Sequence, residues 1–302
     1  MKKISLLLII SFTAISILTF QACQSTKSST ASKMLKFNFE KGKGYNYEMV
    51  WDMDTKVAGQ VSNISIDGSY SMMITDDDGI VKSVSTVYKS LKMKMEMGGM
   101  NFDIDSDKPS VLDSNNTGKD PLSAMSSMFS GLINKPFIIK VDPEGKVLEI
   151  SGFDKIINDM IDSLPLNESM KSQARASMKD QFNEQSIKDN FSQLFTIFPN
   201  KEVKVGESWE KSYSTGGKMP AKFSTTYTVK EIEGDHVTLS TVTKISPNSS
   251  ESEAEGEQTG SILVDSKTGL MINATFDQDM KVKTKGNMIA ITGKGRIKGK
   301  AL

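Results

Sequence analysis

The sequence predicts a mainly β, α+β fold. Long antiparallel strands form one or two curved sheets or half-barrels, and a central helical block packs on the concave face. Three observations predict it. Apolar residues recur at period two from Leu35 to Ile150 and again from Val203 onward. Asp78-Gly79, Gly98-Gly99 and Gly234-Asp235 punctuate those runs as turns. One stretch only, Phe153 to Phe198, changes to period 3.6.

The first element precedes the fold. Lys2 and Lys3 lead an apolar run from Ile4 to Phe20, followed by Gln21-Ala22-Cys23 and a small, polar stretch. A charged, then apolar, then small-residue layout is that of a secretory leader. At about 17 residues the run is short for a bilayer span, and no stop-transfer flank follows. The expected organisation is a signal peptide over 1–22, a lipidated flexible tether over 23–34 and an N-terminal β meander over 35–152. The helical block over 153–198 follows, then a C-terminal β meander over 199–302, separate from the first or integrated with it.

In the first meander Tyr45, Tyr47, Met49 and Trp51 alternate with Asn46, Glu48, Val50 and Asp52. Ile64-Ser65-Ile66 and Tyr70 to Ile74 continue the pattern up to an Asp76-Asp77-Asp78-Gly79 turn. Val81 to Leu91 returns, extended by a segment with Met93, Met95 and Met97 on one face and Lys92, Lys94 and Glu96 on the other. Gly98-Gly99 turns into Asn101 to Asp105. Residues 106–131 are polar, with a short helix expected at Leu122 to Phe129. Pro136 to Val141, an Asp142-Pro143-Glu144-Gly145 turn and Lys146 to Ile150 form a hairpin.

Phe153, Ile156, Ile157, Met160, Ile161 and Leu164 make one helical stripe, which Pro165 breaks. Met170, Ala174, Met178 and Phe182 make a weaker second. Ser186 with Asp189 approximates a capping box for a third, carrying Ile187, Phe191, Leu194, Phe195 and Phe198 up to Pro199. In the second meander strands are expected at Lys222 to Ile232, Val237 to Ile245 and Ile262 to Val264. Between the last two, Ser246 to Thr259 reads as a polar loop whose Glu251, Glu253, Glu255 and Glu257 solubilise it. With Gly286-Asn287 as the final turn, Val282 pairs with Ile291, Met280 with Gly293, and Asp277 with Arg296.

Cys23 is the single cysteine of the 302 residues, so a disulfide within the monomer and a thiolate metal site are both excluded. Balanced totals of 37 basic and 37 acidic residues give no electrostatic footprint for nucleic acid. The nineteen methionines are the compositional oddity. Met93, Met95 and Met97 could be soft copper(I) ligands, but same-face neighbours on a strand are about 7 Å apart, so partners would have to come from another strand. A Met-lined groove for an apolar ligand and plain core are the other readings. No metal or other cofactor is expected.

Asp103, Asp105 and Asp107 begin with calcium-loop spacing. Lys108 stands where the turn glycine belongs and Ser114 where the bidentate Glu belongs, so the sequence rejects an EF-hand and leaves a looser calcium site as the lesser alternative. His236 has no triad or zinc partner in the sequence. No nucleophile elbow, phosphate loop or His-Glu-x-x-His motif is present. No catalytic residue is assigned, and the protein is expected not to be an enzyme. Lys281, Lys283, Lys285, Lys298 and Lys300 form a candidate contact with an anionic surface.

Two resemblances add to this. The end of the leader resembles a bacterial lipobox, which implies acylation of Cys23, and Gln24 after it implies sorting to the outer membrane, facing the periplasm. The Gly44-Tyr45-x-Tyr47 opening, the Asp142-x-x-Gly145-x-Val147 hairpin, Pro199-x-x-x-Val203-x-Val205-Gly206-Glu207-Ser208-Trp209 and Asp265-x-x-Thr268-Gly269 resemble a Bacteroidota lipoprotein family of unknown function. The layout is also similar, at the level of fold, to lipoprotein-carrier half-barrels. The expected function is a lipid-anchored envelope protein binding an apolar or amphipathic component. A scaffold contacting proteins or polysaccharide is second, and a glycan hydrolase third.

Overall fold

The computed structural model describes residues 31–302 except 58, 98–99, 109–125, 127–128, 165, 182–183, 215–220, 249–252 and 285–286. The leader, Cys23, Lys285 and most of the helix expected at Leu122 to Phe129 therefore lie outside the described residues. Among the described residues no helix is long and apolar enough to cross a membrane.

The period-two runs become one antiparallel sheet of 12 strands. The first meander contributes β2 (Gly44–Val57), β3 (Gln60–Asp77), β4 (Lys82–Met97), β5 (Met100–Asp105), β6 (Pro136–Val141) and β7 (Val147–Ser151). The second contributes β9 (Ser208–Ser214), β10 (Ala221–Glu233), β11 (His236–Pro247), β12 (Glu253–Asp265), β13 (Met271–Thr284) and β14 (Asn287–Ala301). The strand order is β7-β6-β4-β3-β2-β14-β13-β12-β11-β10-β9, with β5 paired to the far end of β4. The two meanders join edge to edge where β14 pairs with β2, from Ile289 opposite Val57 to Ala301 opposite Tyr45. One sheet, not two, is the outcome. A separate two-stranded sheet pairs β1 (Lys33–Leu35) with β8 (Lys201–Val203).

Three helices lie between the meanders: α1 (Phe153–Ser163), α2 (Glu168–Gln181) and α3 (Glu184–Phe195). The first stripe buries Phe153, Ile156, Met160 and Ile161, and the third buries Ile187, Phe191 and Phe195. Phe137 of β6 receives the rings of Phe153 at 5.3 Å and Phe191 at 5.6 Å. In the second stripe Met170 is 43% exposed, and the Met178 side chain and Phe182 lie outside the described residues. Ser186 falls inside α3, which begins at Glu184.

The segment leaving α3 explains the curvature. The backbone of Phe195 lies against Gly145 in the turn between β6 and β7, at one end of the strand order. Two residues later the Ile197 carbonyl accepts the Trp209 indole N–H of β9, at the other end, at 2.8 Å. Both outer strands of the sheet thus reach one short segment, so the sheet bends around the helices. The core sits in that bend: Phe37, Phe39, Tyr45, Tyr47, Tyr70, Met72, Phe137, Phe195, Val229 and Leu239 form one cluster. Beyond it the strands of β2–β5 and β10–β14 extend past the helices.

Two sequence expectations need correction. Residues Glu253 to Thr259 are not loop but the first half of β12. In Glu253-Ala254-Glu255-Gly256-Glu257 the inward residues are too small to register as an apolar stripe. The last hairpin is offset by two from the expected register: Thr284 opposes Asn287, Val282 opposes Ile289, and Asp277 opposes Lys294. A slip of two leaves every side chain on its expected face, so face pattern alone does not distinguish the two pairings.

Candidate functional site: the inner face of the sheet

The paired registers place residues of successive strands side by side, so the inner face can be read in rows across the sheet. One row runs Ile104, Met93, Ile66, Trp51, Gly295, Phe276, Gly260, Thr241, Tyr227, Trp209. The next, farther from the helices, runs Phe102, Met95, Ile64, Met53, Gly293, Gln278, Gln258, Thr243, Thr225, Lys211. At the β2–β5 side Ile104 is fully buried, while Met53, Ile64, Ile66, Met93, Met95 and Phe102 are half-buried. Those six belong neither to the core cluster nor to a second one, Ala221, Ile245, Ala254 and Val282, at inner positions of β10–β13.

Glycines shape the floor between the two sides. A Cβ at Gly295 would stand 2.8 Å from the indole of Trp51, and one at Gly260 would stand 2.7 Å from the ring of Phe276. The two rings therefore lie down on bare backbone, nearly parallel (5°) with centroids 6.2 Å apart. Aromatic rings covering strand glycines keep the backbone dry while leaving the surface shallow. The result is a shallow, half-buried apolar face.

On the β9–β13 side the second row is polar, with apolar residues beyond it. Thr225 and Thr243 are buried and their hydroxyls are 2.8 Å apart. Gln258 and Gln278 oppose each other on the adjoining strands. Burial pushes the Tyr227 phenol up to about 12 and raises that of Tyr213 as well, so neither carries charge at neutral pH.

Met93 and Met95 thus sit on the inner face as the alternation predicted, with Lys94 and Glu96 exposed on the other face; the Met97 side chain lies outside the described residues. Met93 meets Ile66 and Ile104 across the ladder, and Met95 meets Ile64 and Phe102. Those neighbours offer no further soft ligand, so the thioethers line an apolar surface.

The outer face carries the charges. Shallow depressions of ≈ 520 Å³ and ≈ 500 Å³ lie there, the first lined by Asp52, Asp54, Glu257, Asp277, Asp279 and Lys294. Among the described residues no three His, Cys, Asp or Glu side chains are grouped to hold a metal ion. Asp105 and Asp107 are held by Lys92, at 3.6 and 3.1 Å. The Asp76–Gly79 segment is a turn, with the Asp78 carboxylate accepting from the backbone N–H of Ile80 and Val81. His236 is exposed at the start of β11.

The basic patch is not a basic field. Lys281 stands opposite Glu255 and Lys283 opposite Glu253 on β12, and Lys298 opposes Glu48 on β2. Lys294 lies 3.8 Å from Asp277. Lys300 faces Asn46. Strand β12, where the sequence pattern predicts a loop, supplies these carboxylates.

A family model, described as a family of unknown function (DUF6263), matches residues 78–271. The chain belongs to that family. Three of the four signatures noted in the sequence fall inside the match, and each builds backbone. The Asp142 carboxylate accepts from the N–H groups of Glu144 and Lys146, and that of Asp265 from Lys267 and Thr268. Trp209 closes the bend through Ile197. In this chain those signatures build the scaffold. No curated protein matches the chain in sequence.

Among solved structures, lipovitellin is similar in fold, with a TM-score of 0.51 at 9% identity over 88% of this chain. The chain spans only 26% of that protein's length. OccK7 of Pseudomonas aeruginosa aligns over 87% of this chain and 100% of its own at 8% identity, with a TM-score of 0.22. A DUF1329 family protein of Desulfovibrio piger aligns over 84% of this chain and 85% of its own at 10% identity, with a TM-score of 0.16. Scores that low carry no argument about this chain.

Proposed function

We propose that this is a non-enzymatic envelope protein, anchored through acylated Cys23 on the outer membrane facing the periplasm, that holds an apolar or amphipathic envelope component on the inner face of its sheet. The observation that carries the reading is the half-buried row Met93, Ile66, Trp51 with its neighbours Met95, Ile64 and Met53. These side chains line a concave surface beyond the helices and belong to no core cluster. Contiguous apolar surface of this kind marks a binding face in a soluble domain. Thioethers and flat aromatic rings suit a ligand of variable shape. Acyl chains on Cys23, at about 0.8 kcal/mol per buried methylene, would keep that face beside a source of such ligands. Lipovitellin, which shares the fold over part of its length, was described for its lipid–protein interactions.

Trp51 and Trp209 are the two tryptophans of the chain, and Trp209 holds the bend, so the wild-type emission minus that of Trp51→Phe reports the indole on this face. Brominated stearic acid added to the protein, extracted in a nonionic detergent, should quench that difference in a saturable way, with unlabelled oleic acid restoring it. Native mass spectrometry of the same preparation should show retained lipid. An unquenched Trp51 together with a lipid-free protein would overturn the proposal.

A further inference from the structure

Along the row that contains Met53 the inner face changes from apolar to polar, and its polar end holds a single charge. Following the registers outward from β2, the inner positions of β3, β4 and β5 beyond the helices are Ile64, Ile66, Leu91, Met93, Met95, Phe102 and Ile104. Following them the other way, the row containing Met53 becomes Gln278, Gln258, Thr243, Thr225 and finally Lys211. Among the described strand residues beyond the helices, Lys211 is the one charged side chain on this face; the remaining charges of β2–β5 and β9–β14 alternate to the outer face.

Lys211 is half-buried at the middle of β9, and among the described residues no carboxylate pairs with it. It stands between two stacked aromatic pairs: Trp209 with Tyr227 at 5.6 Å and Tyr213 with Phe223 at 4.8 Å. Its neighbours across the ladder, Thr225 and Thr243, bring hydroxyls and no opposing charge. A half-buried lysine flanked along its strand by aromatic residues lacks the anion that normally offsets such burial. The other half-buried strand lysines have such partners: Lys140 has Glu149 at 2.7 Å, Lys33 has Asp235 at 2.9 Å, Lys92 has Asp107 at 3.1 Å, and Lys82 has Asp77.

We infer that the ligand of this face is an anionic amphipath, whose chain lies on the Met53, Ile64, Met93 and Met95 side and whose acidic headgroup is bound by Lys211 with the Thr225–Thr243 hydroxyls beside it. The inference rests on the apolar-face reading above and adds the polarity of the ligand and the direction in which it lies. From β2 to β9 there are six strand spacings, about 29 Å along the curved surface at roughly 4.8 Å each, so the ligand is a long-chain molecule and not a small acid. An inward lysine on an edge strand also discourages edge-to-edge pairing. That role needs charge alone and does not discriminate between ligands, which separates the two in a binding experiment.

Three photoreactive probes sharing one long alkyl chain make the test: the carboxylic acid, its neutral methyl ester, and a lysophosphatidic acid. Each is crosslinked to the full-length chain in nonionic detergent and the labelled peptides are read by mass spectrometry. All three should label β2–β4 peptides containing Met53, Ile64 or Met93. Lys211→Met should lower labelling by the two anionic probes about tenfold, the loss of one hydrogen bond to a charged group, and leave the ester unchanged. Lys211→Arg should retain the anionic labelling, and Lys294→Met on the outer face should change nothing. The anion that loses more on Lys211→Met identifies the headgroup as carboxylate or phosphate. If all three probes label the inner face equally and Lys211→Met is silent, the headgroup assignment fails while the apolar-face reading stands. If no probe labels the inner face, both fail together.

Discussion

Trp51 owes its position to a missing side chain. It lies on Gly295 because nothing projects there, and the would-be Cβ at 2.8 Å from the ring measures how little room remains. Gly295→Ala should therefore lift the indole off the sheet and destabilise the protein by about 1–3 kcal/mol, the usual cost of forcing an extra methyl into a packed site. The emission difference between the protein and its Trp51→Phe counterpart should shift to the red as the ring meets water, and the thermal midpoint should fall. Gly293→Ala is the comparison. Its Cβ would meet the flexible Met53 Cγ at 3.1 Å, so the shift should be smaller. An equal effect at both positions would show that the ring does not depend on Gly295. The spacing Gly293-x-Gly295 with Gly299 beyond is visible in the sequence, and small residues at period two are a known sign of close approach. What could not be read there is which aromatic crosses the ladder to lie on them, because that depends on β2 pairing with β14 from the opposite end of the chain.

At the scale of elements, turns were the most legible feature and registers the least. Asp142–Gly145 and Asp265–Gly269 announce themselves because the chemistry is local: a carboxylate accepts the next N–H groups, and a glycine at φ +88 or +78 takes the left-handed conformation. Strand β12 hid because Ala254, Gly256 and Gly260 fill its inner positions, leaving glutamates as its only pattern. The same turns carry a testable clasp. Asp235, between β10 and β11, is held by Lys267 from the β12–β13 turn at 2.6 Å and by Lys33 of β1 at 2.9 Å. Hydrogen bonds from Lys267 and then Lys33 lower its carboxyl from the ordinary 3.8 to about 2. A carboxyl depressed in the folded state stabilises fully above its unfolded value and loses that contribution as pH falls through the folded one. The wild-type advantage over Asp235→Asn in urea midpoint should thus be constant above pH 3.8 and shrink toward pH 2, and it should weaken in high salt because the pair is exposed. A difference that persists unchanged at pH 2 would mean the clasp is not ionic.

At the scale of the whole molecule, the decisive bond is between the chain's two meanders. The β2–β14 ladder runs from Val57 opposite Ile289 to Tyr45 opposite Ala301, which ties the first strand of the large sheet to the last. The sequence showed two meanders of similar layout and left open whether they stand apart, since pairing between residues so far separated leaves no local signature. A joint of this kind makes the sheet one cooperative unit. Removing β14 by ending the chain at Thr284 would expose the edges of β2 and β13 at once, and with them Trp51 and Phe276. Long exposed edges with apolar neighbours invite pairing between molecules. The truncated chain should therefore aggregate on gel filtration, and proteolysis should digest the first meander, residues 35–152, as readily as the second. An independent N-terminal domain would behave otherwise: 35–152 would survive as a protected fragment with dispersed amide resonances, and that result would sink the one-sheet account. It would also remove the basis for a ligand lying from Met53 to Lys211, because that path crosses the β2–β14 joint at Gly293.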